Sequence, residues 1–539
     1  MRYPLAIVAL FAAGSALALP PPPLLPAAQG LALADELSGE TAKRNLEALA
    51  FFHRQRASMG FHAAAEIIYE RLQEYDLTQP EILRIPADGK LVYGTQRSRP
   101  AWDVESAELR EVTGDGEQVI ASYSATPVSL AEDSESADVT AELVDVGDGT
   151  HEADYAGKDV RGKLVLAAQQ ADEVAEHAVA RHGAAGIVSY AQNQATGWSG
   201  DDDTLVRWGH LDTFASFKTF AFMVSRHTAR ALQARLAAHE AIRLHAVVKA
   251  EKHPGAYEIV TATIPGADPR LREQEIAFSC HLDHQRPGAN DNASGCVTIL
   301  EVARTLQRLI SDGRLPRPAR TLRFIWPPEI EGTVALLNAH PEFARRIRAV
   351  VHMDMVGGGP ETKAVFHVTR GPASLPSFVH DVAWAFASWI NDQSYAFAAG
   401  NDARQPLIAP EGGKEPLRAM YAPYSMGSDH DVYQDSSFGI PAIYLNDWPD
   451  RYIHTNRDTA ANIDPTKLRR AAFIGAASGY FLAGYAPQAA GSLSRAVEIG
   501  RLQREVLALE RDTPTAAVEA YERGVRDSLQ RFGLDAPVA

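Results

Sequence analysis

The stretch Glu275–Gly295, EIAFSCHLDHQRPGANDNASG, contains the turn on which the reading of this chain depends. EIAFSC is apolar enough for a buried strand, and the end of the stretch opens a helix that the pattern carries from about Ala293 to Ile310. Between them stand His281, Asp283, His284 and Asp291, imidazoles and carboxylates in one loop. Strand, polar loop and helix make one unit of an α/β sheet, and such sheets place ligands beyond the carboxyl ends of their strands.

Working outward, the same unit recurs. YEIVTATI, TLRFIW, RAVVHMDMV and GIPAIYLND alternate with helical stretches such as SFVHDVAWAFASW. That alternation predicts an α/β fold, a mostly parallel sheet with helices on both faces. His281 closes EIAFSC, and Asp354 closes RAVVHM. Glu329 and Glu331 follow TLRFIW once Pro327 and Pro328 have stopped that strand. His454 lies beyond GIPAIYLND, and Asp291 precedes the first helix. Alone, each has a bland explanation: a strand-end histidine is usually a hydrogen-bonded surface group, and an aspartate before a helix is usually an N-cap. Together they form a nitrogen and oxygen donor set suited to zinc.

The rest of the chain sets the frame. At 539 residues it is too long for one core, so two or three domains are expected. A net charge of −16 argues against a nucleic-acid partner, which would need clustered Lys and Arg. Arg2 and the apolar Leu5–Ala18, ending in an A-x-A pattern, read as a signal peptide over 1–18, so export to the periplasm or medium is expected and no transmembrane segment. The LPPPPLLP that follows is expected to be an extended leader without a fold of its own. The only cysteines, Cys280 and Cys296, are expected as buried thiols in preference to a disulfide. Between 125 and 247, TAELVDVG, GKLVLAAQ and GAAGIVSY are short strand-like runs separated by glycines, an α/β module of their own. The charged stretch from Leu493 to Phe532 predicts a helical tail.

Two resemblances follow from these residues. The GKLVL and GAAGIV runs resemble the protease-associated domain, which in related exopeptidases is inserted into the catalytic domain and partly covers its active site. HLDH…GANDNASG, PPEIEGT, HMDMVG, SDHDVYQDSSFGIPA and YIHTNRDT resemble, in order, the motifs of the co-catalytic zinc exopeptidases of metallopeptidase family 28. The resemblance implies a zinc exopeptidase fold and the domain boundaries 19–124, 125–247, 248–486 and 487–539. It implies one or two zinc ions, peptide substrates and an aminopeptidase activity. Carried over by position, His281 and Asp354 hold one ion, Asp291 bridges, and His454 holds the second. Asp283 fixes the His281 tautomer, and Glu329 is the general base.

This chain departs from the family at one place. Ile330 stands where the second ion's carboxylate ligand is expected, and Glu331 comes one residue later. Either Glu331 turns inward and substitutes, or it faces solvent and the second ion is left with Asp291 and His454. The departure keeps two other readings open: a glutaminyl cyclase-like enzyme with one zinc, and a catalytically impaired binding protein of the same fold. His284, His430, Asp429, Asp431 and Asp458 are not needed as ligands in this assignment; Asp458 is expected to brace the His454 loop. HEADY at His151 and HEAIR at His239 lack the second histidine of a thermolysin-type site.

Overall fold

The computed structural model describes residues 20–192, 202–485 and 487–534. The expected signal peptide over 1–18 lies outside the described residues. The main sheet has eight strands in the order Thr78–Ala87, Gly255–Ile264, Thr321–Trp326, Glu275–Ser279, Ile347–Asp354, Ala442–Asp447, Phe366–Thr369 and Met420–Ala422. Its centre is parallel, Thr321–Trp326 through Ala442–Asp447, and antiparallel pairings flank that centre. The fold is therefore the α/β architecture expected from the alternation.

Both faces of the sheet are buried, which is why its strands read as continuous apolar runs. Side chains alternate between the faces. Val260, Ile276, Phe278, Phe324, Val351 and Ile443 join one core cluster with the helices Gly39–Leu49, Met59–Glu74, Gly295–Ser311, Val379–Ala398 and Pro465–Gly484. Ile259, Ala277, Ile325, Val350 and Ala442 join another with Leu336 of the helix Glu331–Ala339 and Phe343 and Tyr433 of shorter helices. Each such large apolar side chain taken out of water contributes roughly 1.5–3 kcal/mol. These layers fix where each strand ends, and thus where its terminal polar residue stands.

The proline leader does have a place. Leu24 is buried in the larger cluster, and Trp389 Nε1 donates to the Pro20 carbonyl at 2.8 Å. Cys280, at a strand end, and Cys296, at a helix start, form a disulfide with their Cα atoms 5.4 Å apart, in place of the expected thiols. The helical tail forms as Ala490–Glu510 and Thr515–Arg531. It is tied to the helix Val379–Ala398 through the buried Arg504, which donates to Asp381 and to both oxygens of Glu522, at 2.7 and 2.9 Å.

A second sheet of seven strands runs in the order Gly116–Ser122, Ala101–Thr113, Arg243–His253, Ala137–Gly147, Leu164–Ala167, Gly186–Ser189 and Ala221–Met223. It begins earlier than the expected boundary at 125, because Arg243–His253 pairs on one side with Ala101–Thr113 and on the other with Ala137–Gly147. The whole module interrupts two paired strands of the main sheet, whose last partners are Ala87 and Gly255. At that junction a Cβ on Gly255 would lie 2.9 Å from the Ala101 side chain, so the two sheets meet where only glycine fits.

Candidate metal centre

Two donor groups stand side by side at the carboxyl edge of the main sheet. One is His281, Glu329 and Asp354; the other is His284, Asp291 and His454. Asp291 links them. Its Oδ1 lies 3.3 Å from His281 Nε2, while its Oδ2 lies 3.3 Å from His284 Nε2 and 2.9 Å from His454 Nε2. Asp354 Oδ1 lies 3.4 Å from His281 Nε2. Every expected donor except Glu331 is thus brought together.

The supporting bonds aim the donors. His281 Nδ1 faces the Asp283 carbonyl at 3.0 Å, and His284 Nδ1 faces the Gln285 carbonyl at 2.7 Å. With Nδ1 donating, each Nε2 keeps its lone pair toward the centre, as metal-bound imidazoles require. His281 Nε2, His284 Nε2 and Asp354 Oδ1 are all buried and make no hydrogen bond. Buried polar atoms rarely stay unpartnered, and converging orphans of this chemistry fit a divalent cation held by nitrogen and oxygen.

Charge points the same way. Burial pushes the Glu329 carboxyl well above its ordinary range; His281 opposes this, while Asp354, Asp291 and Asp429 add to it. Burial also disfavours charge on His281, yet Glu329 and Asp354 hold its pKa well above 6.5. The imidazoles of His284, His281 and His454 overcome burial to keep Asp291 well below the usual carboxylate range. Carboxylates packed this closely repel one another, and a cation among them would relieve that repulsion.

Three side chains, Asp458, Arg54 and Asp283, pin the loops that carry these donors. Asp458 accepts from the Asn290 and Asp291 amides at 2.7 and 3.0 Å, so it braces the Asp291 loop to which the sequence reading had not tied it. The fully buried Arg54 donates to the Leu282 and Gly288 carbonyls at 2.9 and 2.8 Å, stapling the loop that bears His284. Asp283 Oδ1 accepts from the Glu329 amide at 2.6 Å and lies 3.5 Å from His281 Nδ1, so one carboxylate positions both residues.

Glu331 corrects the expectation. It is buried and accepts hydrogen bonds from Arg99 Nε and, at 2.6 Å, from the Tyr257 hydroxyl, with Arg56 Nε at 3.7 Å. The cause is the backbone at Ile330, which sits at φ +55° and ψ −64° in a tight turn closed by the Glu331 amide on the Glu329 carbonyl. Asp429 holds that turn by accepting from the Ile330 amide at 2.7 Å. The turn sends Glu329 to the donor groups and Glu331 to the far side. A β-branched residue is a rare occupant of positive φ, and His454 (φ +58°) and Met355 (φ +60°) are held there too. Such strain concentrates where side chains must be aimed for function.

Sequence reasoning missed three residues. His284 is not among the ligands the resemblance implies, although an extra histidine in the loop and an isoleucine in place of a carboxylate at Ile330 are complementary signals. Arg54 acts only through backbone carbonyls and left no pattern. Trp208, from the second module, stacks on His454 and His284 with ring centroids 4.1 and 5.0 Å apart.

Residues 260–478 match the model of Peptidase family M28. Among curated proteins the chain is similar to leucine aminopeptidase 1 of Pyrenophora tritici-repentis, 32% identical over 167 residues, covering 28% of this chain and 41% of that protein. It is also similar to a probable leucine aminopeptidase of Arthroderma benhamiae, 27% identical over 252 residues, covering 44% and 61%. The match to the first of these thus spans about two-fifths of its length. Among solved structures, BSAP, a zinc aminopeptidase from Bacillus subtilis, aligns with a TM-score of 0.56 at 17% identity, covering 83% of this chain and 96% of that one. A peptidase M28 precursor from Shewanella amazonensis aligns with a TM-score of 0.56 at 16% identity, covering 85% and 97%. These structural likenesses establish the shared α/β fold.

Proposed function

We propose, from the match of residues 260–478 to the model of Peptidase family M28, that the chain is an exported zinc-dependent aminopeptidase that removes N-terminal residues from peptides. The observation that carries this reading is the Asp291 carboxylate, whose two oxygens face imidazoles of two separate donor groups. His281 and Asp354 would hold one ion, His284 and His454 the other, and Asp291 both. When bound, zinc in such a pair of sites polarises a carbonyl and makes hydroxide available near neutral pH.

The chain's own residues supply the rest. Glu329, buried beside His281 and Asp354, takes the proton of the attacking water and passes it to the leaving amine. Asp283 holds the Glu329 amide and the His281 ring in one geometry, so base and ligand cannot drift apart. Export rests on the N-terminal pattern, and among the described residues no helix is long and apolar enough to cross a membrane. The module over 101–253 would be the protease-associated domain. The glutaminyl cyclase and impaired-protein alternatives drew on an incomplete second group, and with His284 facing Asp291 they have no observation left to favour them.

The test is a panel of aminoacyl anilides offered to the purified protein before and after chelation, beside a peptide with N-terminal glutamine. Hydrolysis that stops on chelation and returns with zinc is the expected result. Cyclisation without hydrolysis, or no metal-dependent turnover of any substrate, would end the aminopeptidase reading.

A further inference from the structure

The second donor group is not built by the main sheet alone. The segment 206–208 of the inserted module lies along 454–456 as a short extra strand. The Trp208 amide donates to the His454 carbonyl at 2.8 Å, and the Asn456 amide donates to the Val206 carbonyl at 3.0 Å. Arg207 and Thr455 pair between them, and the Val206 amide donates to Asn456 Oδ1 at 3.0 Å. Gln285, beside His284, donates to the Gly209 carbonyl at 3.1 Å. From its other side the segment is fixed to the module, where Gln170 donates to the Trp208 carbonyl and the Glu132 amide to the Gly209 carbonyl, at 3.1 and 2.8 Å.

The Trp208 ring then covers both imidazoles. Its plane is within 24° of His454 and within 11° of His284. The two histidines, themselves 5.7 Å apart between centroids, are therefore spanned by one rigid aromatic surface. His454 has a left-handed backbone at φ +58°, which costs of order 1–3 kcal/mol and persists only where neighbours enforce it. The neighbours that bond its main chain and stack on its ring belong to the inserted module.

We propose that Trp208 is a positioning residue of the second donor group, through which the inserted module sets the affinity of the second metal ion. The inference rests on the two-ion reading above and assigns part of that site to a residue outside the family-matched segment. Groups that orient metal-bound histidines are worth about 10–100-fold in affinity. The loss on removing the ring is expected in that range for the second ion, with little change for the first.

Cobalt(II) titration of the metal-stripped protein tests this, because the ion reports by visible absorption and by quenching of nearby tryptophan fluorescence. Wild type is expected to bind in two steps, the second quenching Trp208. Trp208→Ala is expected to weaken the second step at least tenfold, on the scale of such outer contacts, and to leave the first in place. Trp208→Phe keeps a flat ring, so it is expected to recover most of the affinity while losing the second-step quench. An unchanged second step in Trp208→Ala, or a Trp208→Phe protein as weak as Trp208→Ala, would overturn the proposal. Should Trp208→Ala lose both steps, the second step of Trp208→Phe decides alone. A wild-type protein that takes up no second ion would sink the two-ion reading itself, an outcome separate from these.

Discussion

The two donor groups differ in what holds them. Asp354 closes its strand, and His281 and Glu329 follow the ends of two neighbouring parallel strands; their supports, Asp283 and Asp429, belong to the same domain. His284 and His454 ride on loops, one stapled by Arg54 near the N-terminus and one pressed by Trp208 from the inserted module. The first group follows from the sheet. The second is assembled from parts far apart in sequence, and its composition shifts accordingly, from one imidazole with two carboxylates to two imidazoles with one. On the proposed two-ion reading, His284 from another loop would stand in for the carboxylate that the resemblance expects at Ile330.

The largest effect comes from removing what the groups share. Asp291→Ala is expected to abolish binding of both ions and all measurable peptidase activity; retention of either ion, read by elemental analysis, would separate the groups and break the comparison. Glu329→Gln keeps the shape but not the base. Its kcat is expected to fall about 10²–10⁴-fold with metal content close to wild type, the usual weight of a general base. A loss of metal in place of a loss of rate would make Glu329 a ligand first.

A smaller effect sharpens the contrast by stability. Glu331 belongs to neither group and is buried among Arg56, Arg99 and Tyr257. Glu331→Ala is expected to lower unfolding stability by about 3 kcal/mol, as when one partner of a buried ion pair is removed, and to spare activity. Chemical denaturation checks the first part, and anilide turnover the second.

A further effect, confined to acid pH, lies outside the site. Burial holds the imidazole of His380 neutral, its pKa pushed down to about 4 from 6.5. Between these values the unfolded chain binds the extra proton, so stability is full above pH 6.5 and falls as pH drops through the window. Thermal unfolding of metal-stripped protein is expected to follow that direction, with a flatter slope in His380→Gln. Equal slopes would remove His380 as a cause.

What the sequence disclosed follows the same division. The strand ends near His281 and Asp354 were legible because burial on both faces makes each strand an apolar run, and a polar residue closing such a run stands out; Glu329, Asp291 and His454 lie in the loops beyond, where the family resemblance and not the periodicity pointed to them. The fate of Glu331 was not legible, since it depends on a turn with Ile330 at positive φ, which the two prolines before it do not specify. The edge of the second sheet was hidden for a related reason: Val247 pairs with Glu108 on one side and Asp138 on the other, and such pairing leaves no local mark. Nor could spacing decide the disulfide, which depends on a strand end and a helix start lying one above the other. Trp208 had no signal at all, because its role exists only once the module has folded back on the sheet.

Ion stoichiometry in three proteins, measured side by side, tests the central claim most directly. Wild type is expected to carry two ions per chain, Glu331→Ala also two, and His284→Ala one. If Glu331→Ala loses an ion while His284→Ala keeps both, the second group described here is not the one that binds.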